Sequence, residues 1–215
     1  MIRHPSYLFF LFIISSAVLS GCATQQNNNL PAEIVNQSPI QRAAHLAKIN
    51  QWRLRGKIAF IAQLKNNESK RESATMTWHV NQKTNSQELN LTSYLGINVL
   101  HLESTNNSHQ ILVDGKEYRS NNLTQLIHSL TGLTLPAKAL TFWLKGLPFQ
   151  PTDKVTLSTN TQLPLSLQSQ FNNIKWQVGY RKYQVFDGVQ MATQFTIKKD
   201  DLLIKIAVKD WSLIH

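Results

Sequence analysis

The hydrophobic positions of this chain follow two different periods, and the change of period marks the predicted elements. Ser38-Pro39 is typical of a capped helix start, and apolar residues then recur at helical spacing as far as Asn50. From Trp52 to Leu64 every second residue is apolar instead, which indicates a strand with one buried face. The sequence therefore predicts a short helix followed by a long strand.

Alternating stretches of this kind continue through most of the chain. Turns that contain asparagine or glycine separate them, as in an antiparallel meander. This alternation predicts nine further strands, over residues 74–80, 88–93, 97–103, 109–114, 154–158, 163–170, 174–180, 190–197 and 202–208.

Two helical patterns interrupt the strands after the fifth. Asn122 caps an apolar helical repeat that ends at Gly132, and Pro136 opens another that ends at Gly146. A sheet of about ten strands curls strongly or closes, so the inserted helices fit across its open concave face. The predicted fold is mainly β. It is a curved antiparallel sheet that forms an incomplete barrel, and a lid of short helices covers it and encloses an apolar cavity.

The first residues of the chain have the layout of a secretory signal peptide. A basic tip and an apolar run from Leu8 to Val18 precede Leu19-Ser20-Gly21-Cys22, which resembles the bacterial lipobox whose cysteine sulfur receives a diacylglycerol. The apolar run is shorter than the ~20 residues that a membrane-spanning helix needs. We therefore predict a signal peptide over 1–21, a lipidated N terminus and flexible tether over 22–37, and a folded domain over 38–215. An ordinary signal peptide followed by a chance cysteine is the alternative.

The charge of the chain limits its partners. The formal net charge is +10, which suits nucleic acid, anionic lipid headgroups or an acidic protein. Because a secreted lipoprotein does not meet nucleic acid, the last two remain. A solvated surface explains the basic residues equally well, since they are scattered along the chain: Arg53, Arg55, Lys57, Lys70, Arg71, Arg181, Lys182, Lys198 and Lys199.

The usual catalytic and metal-binding motifs do not occur in the sequence. It contains no nucleophile elbow, no His-Glu-x-x-His, no phosphate-binding glycine loop and no paired cysteines. Of the seven histidines only His101 and His109 lie even loosely together, so surface or packing roles are favoured over metal binding. The twelve acidic residues form no evident acid–base pair. We therefore expect no enzyme activity, no cofactor and no metal.

Two apolar features stand out instead. A hairpin tip, Tyr94-Leu95-Gly96-Ile97, carries apolar residues where polar ones are usual, and an exposed leucine there needs a reason. We expect Ile97 to turn back toward the core. The second feature suits a large apolar interior, although plain core packing explains it equally well: five tryptophans on apolar stripes, Trp52, Trp78, Trp143, Trp176 and Trp211.

In these residues the chain resembles the LolB family, outer-membrane receptors that accept lipoproteins from a periplasmic carrier in Gram-negative bacteria. The order and spacing of several stretches carry the resemblance over essentially the whole mature chain. The matching stretches are the lipobox, Trp52-Arg53-Leu54-Arg55-Gly56-Lys57-Ile58, Ser93-Tyr94-Leu95-Gly96, Leu130-Thr131-Gly132, Pro136, Trp143-Leu144-Lys145-Gly146-Leu147-Pro148, Trp176 with Tyr180, and Lys209-Asp210-Trp211.

The resemblance implies an apolar cavity for acyl chains and a protruding loop with a leucine at its tip, here Leu95. We expect Tyr94, Gly96 and Ile97 to share a membrane-insertion role with it. The family loop has asparagine and proline before the leucine, where this chain has Ser93 and Tyr94. The candidate cavity residues are Trp52, Leu54, Ile58, Phe60, Met76, Trp78, Leu126, Leu130, Leu140, Trp143, Leu144 and Trp176.

The implied function is non-enzymatic and needs no nucleotide. A monomeric outer-membrane lipoprotein, anchored by Cys22 and facing the periplasm, would take acylated lipoproteins from a LolA-like carrier and insert them into the inner leaflet among phospholipids. Residue 23 is alanine and not aspartate, which in this family fits delivery to the outer membrane. One acyl chain in water costs roughly 10 kcal/mol, so cargo must pass between apolar environments. The alternatives are a tethered structural scaffold without an acyl-chain ligand and, disfavoured by the missing motifs, an envelope hydrolase.

Overall fold

A computed structural model describes residues 37–63 and 68–214. The predicted signal peptide, Cys22 and the tether up to residue 36 lie outside the described residues, as does Leu64. The helices are α1 (Pro39–Lys48), α2 (Leu123–Thr131) and α3 (Ala137–Trp143). The strands are β1 (Gln51–Gln63), β2 (Ser69–Asn81), β3 (Ser86–Thr92), β4 (Asn98–Ser104), β5 (His109–Val113), β6 (Lys116–Ser120), β7 (Lys154–Leu157), β8 (Pro164–Phe171), β9 (Ile174–Phe186), β10 (Val189–Lys199) and β11 (Leu202–Ile214).

The strands form one antiparallel sheet whose two edges do not meet. Its order is β6-β5-β4-β3-β2-β1-β11-β10-β9-β8-β7, so β1 and β11 pair at the centre and β6 and β7 are the edges. The chain that leads from β6 to β7 carries α2 and α3, which therefore cross one face of the sheet from edge to edge. This arrangement confirms the predicted fold class, an open, incomplete barrel with a helical lid.

The structure has one strand more than predicted, and α2 and α3 follow the sixth strand and not the fifth. The missed strand is β6, whose residues are almost all exposed, so it lacks the apolar alternation that marks a half-buried strand. The sequence feature that indicates this strand is the turn before it. Asp114 and Gly115 have φ values of 50° and 72°, the left-handed pair that a two-residue hairpin requires.

A bulge explains why the last strand is longer than predicted. Arg55 pairs with Asp210, but the next residue, Gly56, pairs with Val208, so β11 contains one extra residue at this point. The extra residue shifts the alternation, and both Val208 and Trp211 pack against the core. A strict two-residue period therefore ends at Val208, whereas the strand continues to Ile214.

The core lies between the inner face of the sheet and the lid. Trp52 is at its centre, with its ring centroid 5.6 Å from that of Trp78 and 5.3 Å from that of Trp211. In the lid, the ring of Trp143 lies 6.1 Å from that of Trp176 on β9. All five tryptophans are buried, as the prediction of apolar stripes required.

The sheet has two distinct ends. Helix α1 lies at one of them, where Gln82 donates from its backbone amide to the carbonyl of Asn50 over 2.7 Å and Arg42 bonds to the carbonyl of Gln190; we call it the α1 end. The opposite end carries the β3–β4 turn, residues 93–97, and the β10–β11 turn; we call it the loop end.

Candidate functional site

The apolar face beneath the lid is the first part of the candidate site. All the predicted cavity residues are buried except Phe60 and Leu130, which are half-buried against the core. The residues from β1, β2, α3 and β9 belong to one large cluster, but Leu126 belongs to a smaller one with Leu102 and Ile111 under α2. Half-buried Leu89, Leu100 and Leu135 pack against both clusters and so connect them.

The apolar interior is filled by the chain's own side chains, and the larger pocket of about 410 Å³ between the lid helices and the sheet is lined mainly by polar residues such as Asn81, Gln82 and Thr105. Between α2, α3 and the β8–β9 hairpin lies an apolar cavity of about 10 Å³, whereas pockets for small ligands measure roughly 300–1,000 Å³. A ligand of the size of an acyl chain therefore does not fit into this cavity. The residues that line this cavity are Thr124, Thr134, Leu135, Pro136, Phe171, Asn172, Ile174 and Trp176.

The two lid helices are attached to the sheet in different ways. The Trp143 indole of α3 donates to Asp153 Oδ2 over 2.9 Å, and the Tyr180 hydroxyl donates to the Trp143 carbonyl over 2.9 Å. In the described part of the chain, the side-chain hydrogen bonds of α2 stay within residues 122–134, and this helix meets the sheet through apolar residues such as Leu126 and Ile127. Apolar packing is non-directional, so the contacts of α2 fix its position less strictly than the hydrogen bonds of α3 do.

Two buried cations hold α1 against the rest of the fold, and neither was predicted from the sequence. Arg42 donates from Nε and Nη2 to the carbonyl of Gln190 at 3.1 and 2.9 Å, and its guanidinium lies 5.9 Å from the centre of the Tyr183 ring. Burial lowers the pKa of Arg42 and raises that of Tyr183. The only sequence signal for such a residue is a charge that falls on the apolar face of a helix, close to Leu46.

Lys145 is the second buried cation, with a relative exposure of 1%. Its Nζ donates to the carbonyls of Leu46 and Ile49 over 3.1 and 2.9 Å and to Gln82 Oε1 over 3.0 Å. Burial lowers its pKa to about 8. The lysine thus supplies donors to the end of α1 and to the turn after β2. The sequence feature that could have indicated its burial is its position between Leu144 and Gly146, next to Trp143.

The β3–β4 turn is the second part of the candidate site. Tyr94, Leu95 and Ile97 are 97%, 80% and 64% exposed, which confirms the predicted exposed apolar tip. The expectation that Ile97 turns back toward the core was wrong. Strand β4 begins only at Asn98, which pairs with Thr92 after a register shift, so Ile97 stays in the turn beyond the sheet and has no apolar surface to pack on.

Ser93 gives this turn its shape. The Gly96 amide donates to the Ser93 carbonyl over 3.0 Å, the Ser93 amide to the Ile97 carbonyl over 2.8 Å, and the Ile97 amide to Ser93 Oγ over 3.2 Å. Gly96 has a φ of 77°, which a residue without a side chain adopts without strain. These bonds fix the base of the turn and leave Tyr94 and Leu95 pointing away from the sheet.

The polar residues of the described chain do not assemble a metal site. No cluster of three or more histidine, cysteine, aspartate or glutamate side chains within residues 37–63 and 68–214 could hold a metal ion. His101 bonds to Asn90 and Glu103, whereas His109 bonds to Ser104, so the two nearest histidines do not meet. No helix among the described residues is both long and apolar enough to span a membrane.

The family model and the curated relatives agree on one family. Residues 50–211 match the family model described as outer membrane lipoprotein LolB. The outer-membrane lipoprotein LolB of Psychromonas ingrahamii is 35% identical and that of Pseudoalteromonas translucida 30%, over 96% and 97% of this chain and 94% and 96% of those relatives. A crystal structure of a LolA superfamily protein from Nitrosomonas europaea aligns with a TM-score of 0.48 and 6% identity over 82% of this chain and 92% of that chain.

Proposed function

Because this chain belongs to the LolB family of outer-membrane lipoproteins, we propose that it accepts acylated lipoproteins from a periplasmic carrier and inserts them into the inner leaflet of the outer membrane. One observation carries the proposal: an apolar sheet face lies under a lid whose helix α2 is attached by apolar contacts, and an apolar tip, Leu95, protrudes beside it. Both parts suit acyl chains, and neither requires a covalent step or a nucleotide.

Cargo binding would begin with separation of α2 from the sheet. The residues exposed by this movement, among them Leu126, Leu102 and Ile111, are aliphatic, so acyl chains would replace one set of apolar contacts by another. Such an exchange changes the free energy little, because the transfer term depends mainly on the apolar area removed from water. Cargo would therefore leave as readily as it enters, and this is what a transfer protein requires.

Release would use the turn at the loop end. Burying one leucine side chain in a bilayer contributes about 1.5–3 kcal/mol, which orients the protein but does not anchor it. We assign the anchor to a lipid on Cys22, which lies in the predicted lipobox. Leu95, with Tyr94 and Ile97, would then bring the cavity opening against the inner leaflet.

A tethered structural scaffold is the second candidate function. The filled interior favours it, because an apolar cavity of about 10 Å³ needs no ligand to be stable. A scaffold would hold its lid closed and would not exchange acyl chains. The two functions therefore differ in a measurable property, acceptance of cargo from a carrier.

The proposal predicts that Leu95→Glu separates acceptance from insertion. The mature chain with Cys22→Ala would be mixed with a carrier–lipoprotein complex, and then with liposomes. We expect Leu95→Glu to accept cargo as the unsubstituted chain does, since the side chain is exposed and touches no core residue, but to insert it into liposomes at least tenfold more slowly. The matched control is Leu165→Glu, an exposed leucine in β8 at the α1 end, which should leave both stages unchanged.

Two results would contradict this assignment. If the unsubstituted chain takes no cargo from the carrier, the scaffold is correct and the receptor proposal fails. If Leu95→Glu inserts cargo at the normal rate, or already fails at acceptance, the turn has no insertion role. Urea midpoints of both variants should equal that of the parent, which shows that neither substitution unfolds the domain.

A further inference from the structure

The outer face of the sheet, opposite the core, carries mainly positive charge. The five adjacent strands β2, β1, β11, β10 and β9 contain two carboxylates. Glu72 pairs with Lys70, and Asp210 pairs with Arg55. The same strands contain many more cations: Arg53, Arg55, Lys57, Lys70, Arg71, Lys175, Arg181, Lys182, Lys198, Lys199, Lys205 and Lys209.

Four of these cations surround a depression of about 570 Å³ in the outer face. Its floor includes small residues, Ala59 and Gly179, and the Thr196 hydroxyl lies over Gly179. The depression crosses five strands, which at about 4.8 Å per strand spacing gives a width near 19 Å. The rim consists of Lys57, Arg71, Arg181 and Lys205, all of them exposed, and we call this surface the basic depression.

Within residues 37–63 and 68–214 the rim cations have no negative partners. None of the four forms an ion pair with a carboxylate among the described residues, and no acidic residue lines the depression. The polar neighbours are neutral, such as Ser73, Gln194 and Thr196. Unpaired cations around a concave surface attract anions with several fixed negative groups.

The strand register places the basic depression between the middle of the strands and the loop end, because Lys57 is the central residue of β1 and Arg71 pairs with Ile61 near the end of that strand. Thr92, the last residue of β3, pairs with Thr75, and Thr75 pairs with Lys57. From this row β1 continues toward the loop end through Ala59 and Ile61, which pair with Ser73 and Arg71 of β2. The apolar turn extends from Thr92 in the same direction. The basic depression therefore lies on the half of the sheet that also carries the exposed Leu95, whereas α1 lies at the other end.

We propose that the basic depression binds the anionic phosphate headgroups of a lipid bilayer while the Leu95 turn enters the apolar layer beneath them. An apolar tip and unpaired cations on the same half of the sheet match the two layers of a membrane surface, apolar core and anionic headgroups. This surface would hold the receptor against the membrane during insertion, and in that sense the proposal rests on the proposed function and adds to it.

Vesicle binding tests the proposal with a charge-matched pair of triple variants. The mature chain with Cys22→Ala would be sedimented with vesicles of phosphatidylcholine alone or with 30% phosphatidylglycerol. Lys57→Gln, Arg181→Gln and Lys205→Gln together remove three rim charges. The control removes the same net charge far from the rim, through Lys48→Gln, Lys83→Gln and Lys138→Gln, three exposed lysines at the α1 end and on α3.

Each basic side chain near an anionic surface strengthens partitioning about fivefold, so the rim triple variant should lose about 100-fold of its binding to anionic vesicles at low salt. The control should lose less than fivefold. Raising the salt concentration should weaken the parent and bring it toward the rim variant, because the interaction is screened. Binding to neutral vesicles should be equal in all three proteins.

Three results would overturn the proposal. Equal losses in both triple variants would show that only net charge matters. Unchanged vesicle binding by the rim variant would show that the depression does not meet lipid. Unchanged vesicle binding with a selective loss of cargo acceptance would assign the depression to an acidic carrier. Failure of the parent to accept cargo would remove the proposed function alone, since vesicle binding is measured without cargo.

Discussion

Lys145 shows how one buried side chain couples stability to pH. Its pKa in the folded protein is about 8, below its ordinary value of 10.5. Below pH 8 the lysine is protonated in both the folded and the unfolded state, and the cost of burying its charge is fully present. Between pH 8 and 10.5 the folded state has lost the proton that the unfolded state still binds, so the free energy of unfolding rises with pH.

Substituting Lys145 by methionine tests this coupling. We expect Lys145→Met to lower the free energy of unfolding at pH 7.5 by about 1–3 kcal/mol, because the carbonyls of Leu46 and Ile49 lose their donor. We also expect the variant to lose the part of the stability increase between pH 7.5 and 9.5 that Lys145 supplies. Urea unfolding at the two pH values measures both effects. Lys48→Met, at an exposed position, should keep the increase, and an equal increase in Lys145→Met would contradict the assignment.

These buried cations also mark the limit of reading single residues from sequence. The tryptophans and the exposed Leu95 were predictable, because apolar stripes and an apolar hairpin tip are visible in the pattern. Arg42 and Lys145 were not predicted. A charge is normally a surface residue, and the carbonyls that satisfy these two belong to segments far away in the chain.

At the scale of elements, the bulge between β1 and β11 depends on Gly56. A Cβ atom built on this residue would lie 2.3 Å from the Ala207 carbonyl oxygen, far inside van der Waals contact. This close approach lies at the bulge, where β11 contains one extra residue. Gly56 thus allows the register that brings both Val208 and Trp211 to the core.

Gly56→Ala should therefore destabilise the fold. We expect a loss of about 1–3 kcal/mol in the free energy of unfolding, the usual cost of adding a methyl group to a packed site, measured as a lower urea midpoint at constant slope. Ser73→Ala, at an exposed position of β2, should change stability by less than about 0.5 kcal/mol. An unchanged midpoint for Gly56→Ala would show that β11 relaxes and that the bulge is not needed.

The same scale shows which elements a sequence reveals. Helices α1 and α2 begin at the predicted caps, with Ser38 and Asn122 accepting from the amides three residues later, because capping is a local interaction. Strand β6 was not predicted because it has no apolar face and is recognised only by its pairing with β5. Whether the lid lies closed on the sheet depends on packing between distant residues, and no local pattern contains that information.

At the scale of the whole molecule, the described chain begins at the end of the sheet opposite the β3–β4 turn. Residue 37 leads into α1 at the α1 end, whereas Leu95 is at the loop end. Strand β1 has 13 residues and is therefore about 43 Å long at ~3.3 Å per residue. The chain from Cys22 to residue 37 spans at most about 50 Å when fully extended. If both the lipid and Leu95 contact one membrane, the tether is only just long enough to follow the sheet.

Shortening the tether should therefore block insertion but not acceptance. We expect the lipidated protein lacking residues 24–31, whose tether reaches at most about 25 Å, to take cargo from the carrier normally and to insert it at least tenfold more slowly into the membrane that holds it. Replacing the same residues by eight glycine and serine residues should restore the rate, because length and not composition sets the reach. Radiolabelled cargo in proteoliposomes separates the two stages. Normal insertion by the shortened protein would mean that the body meets the membrane by its α1 end or its side, and would remove the loop end from the insertion step.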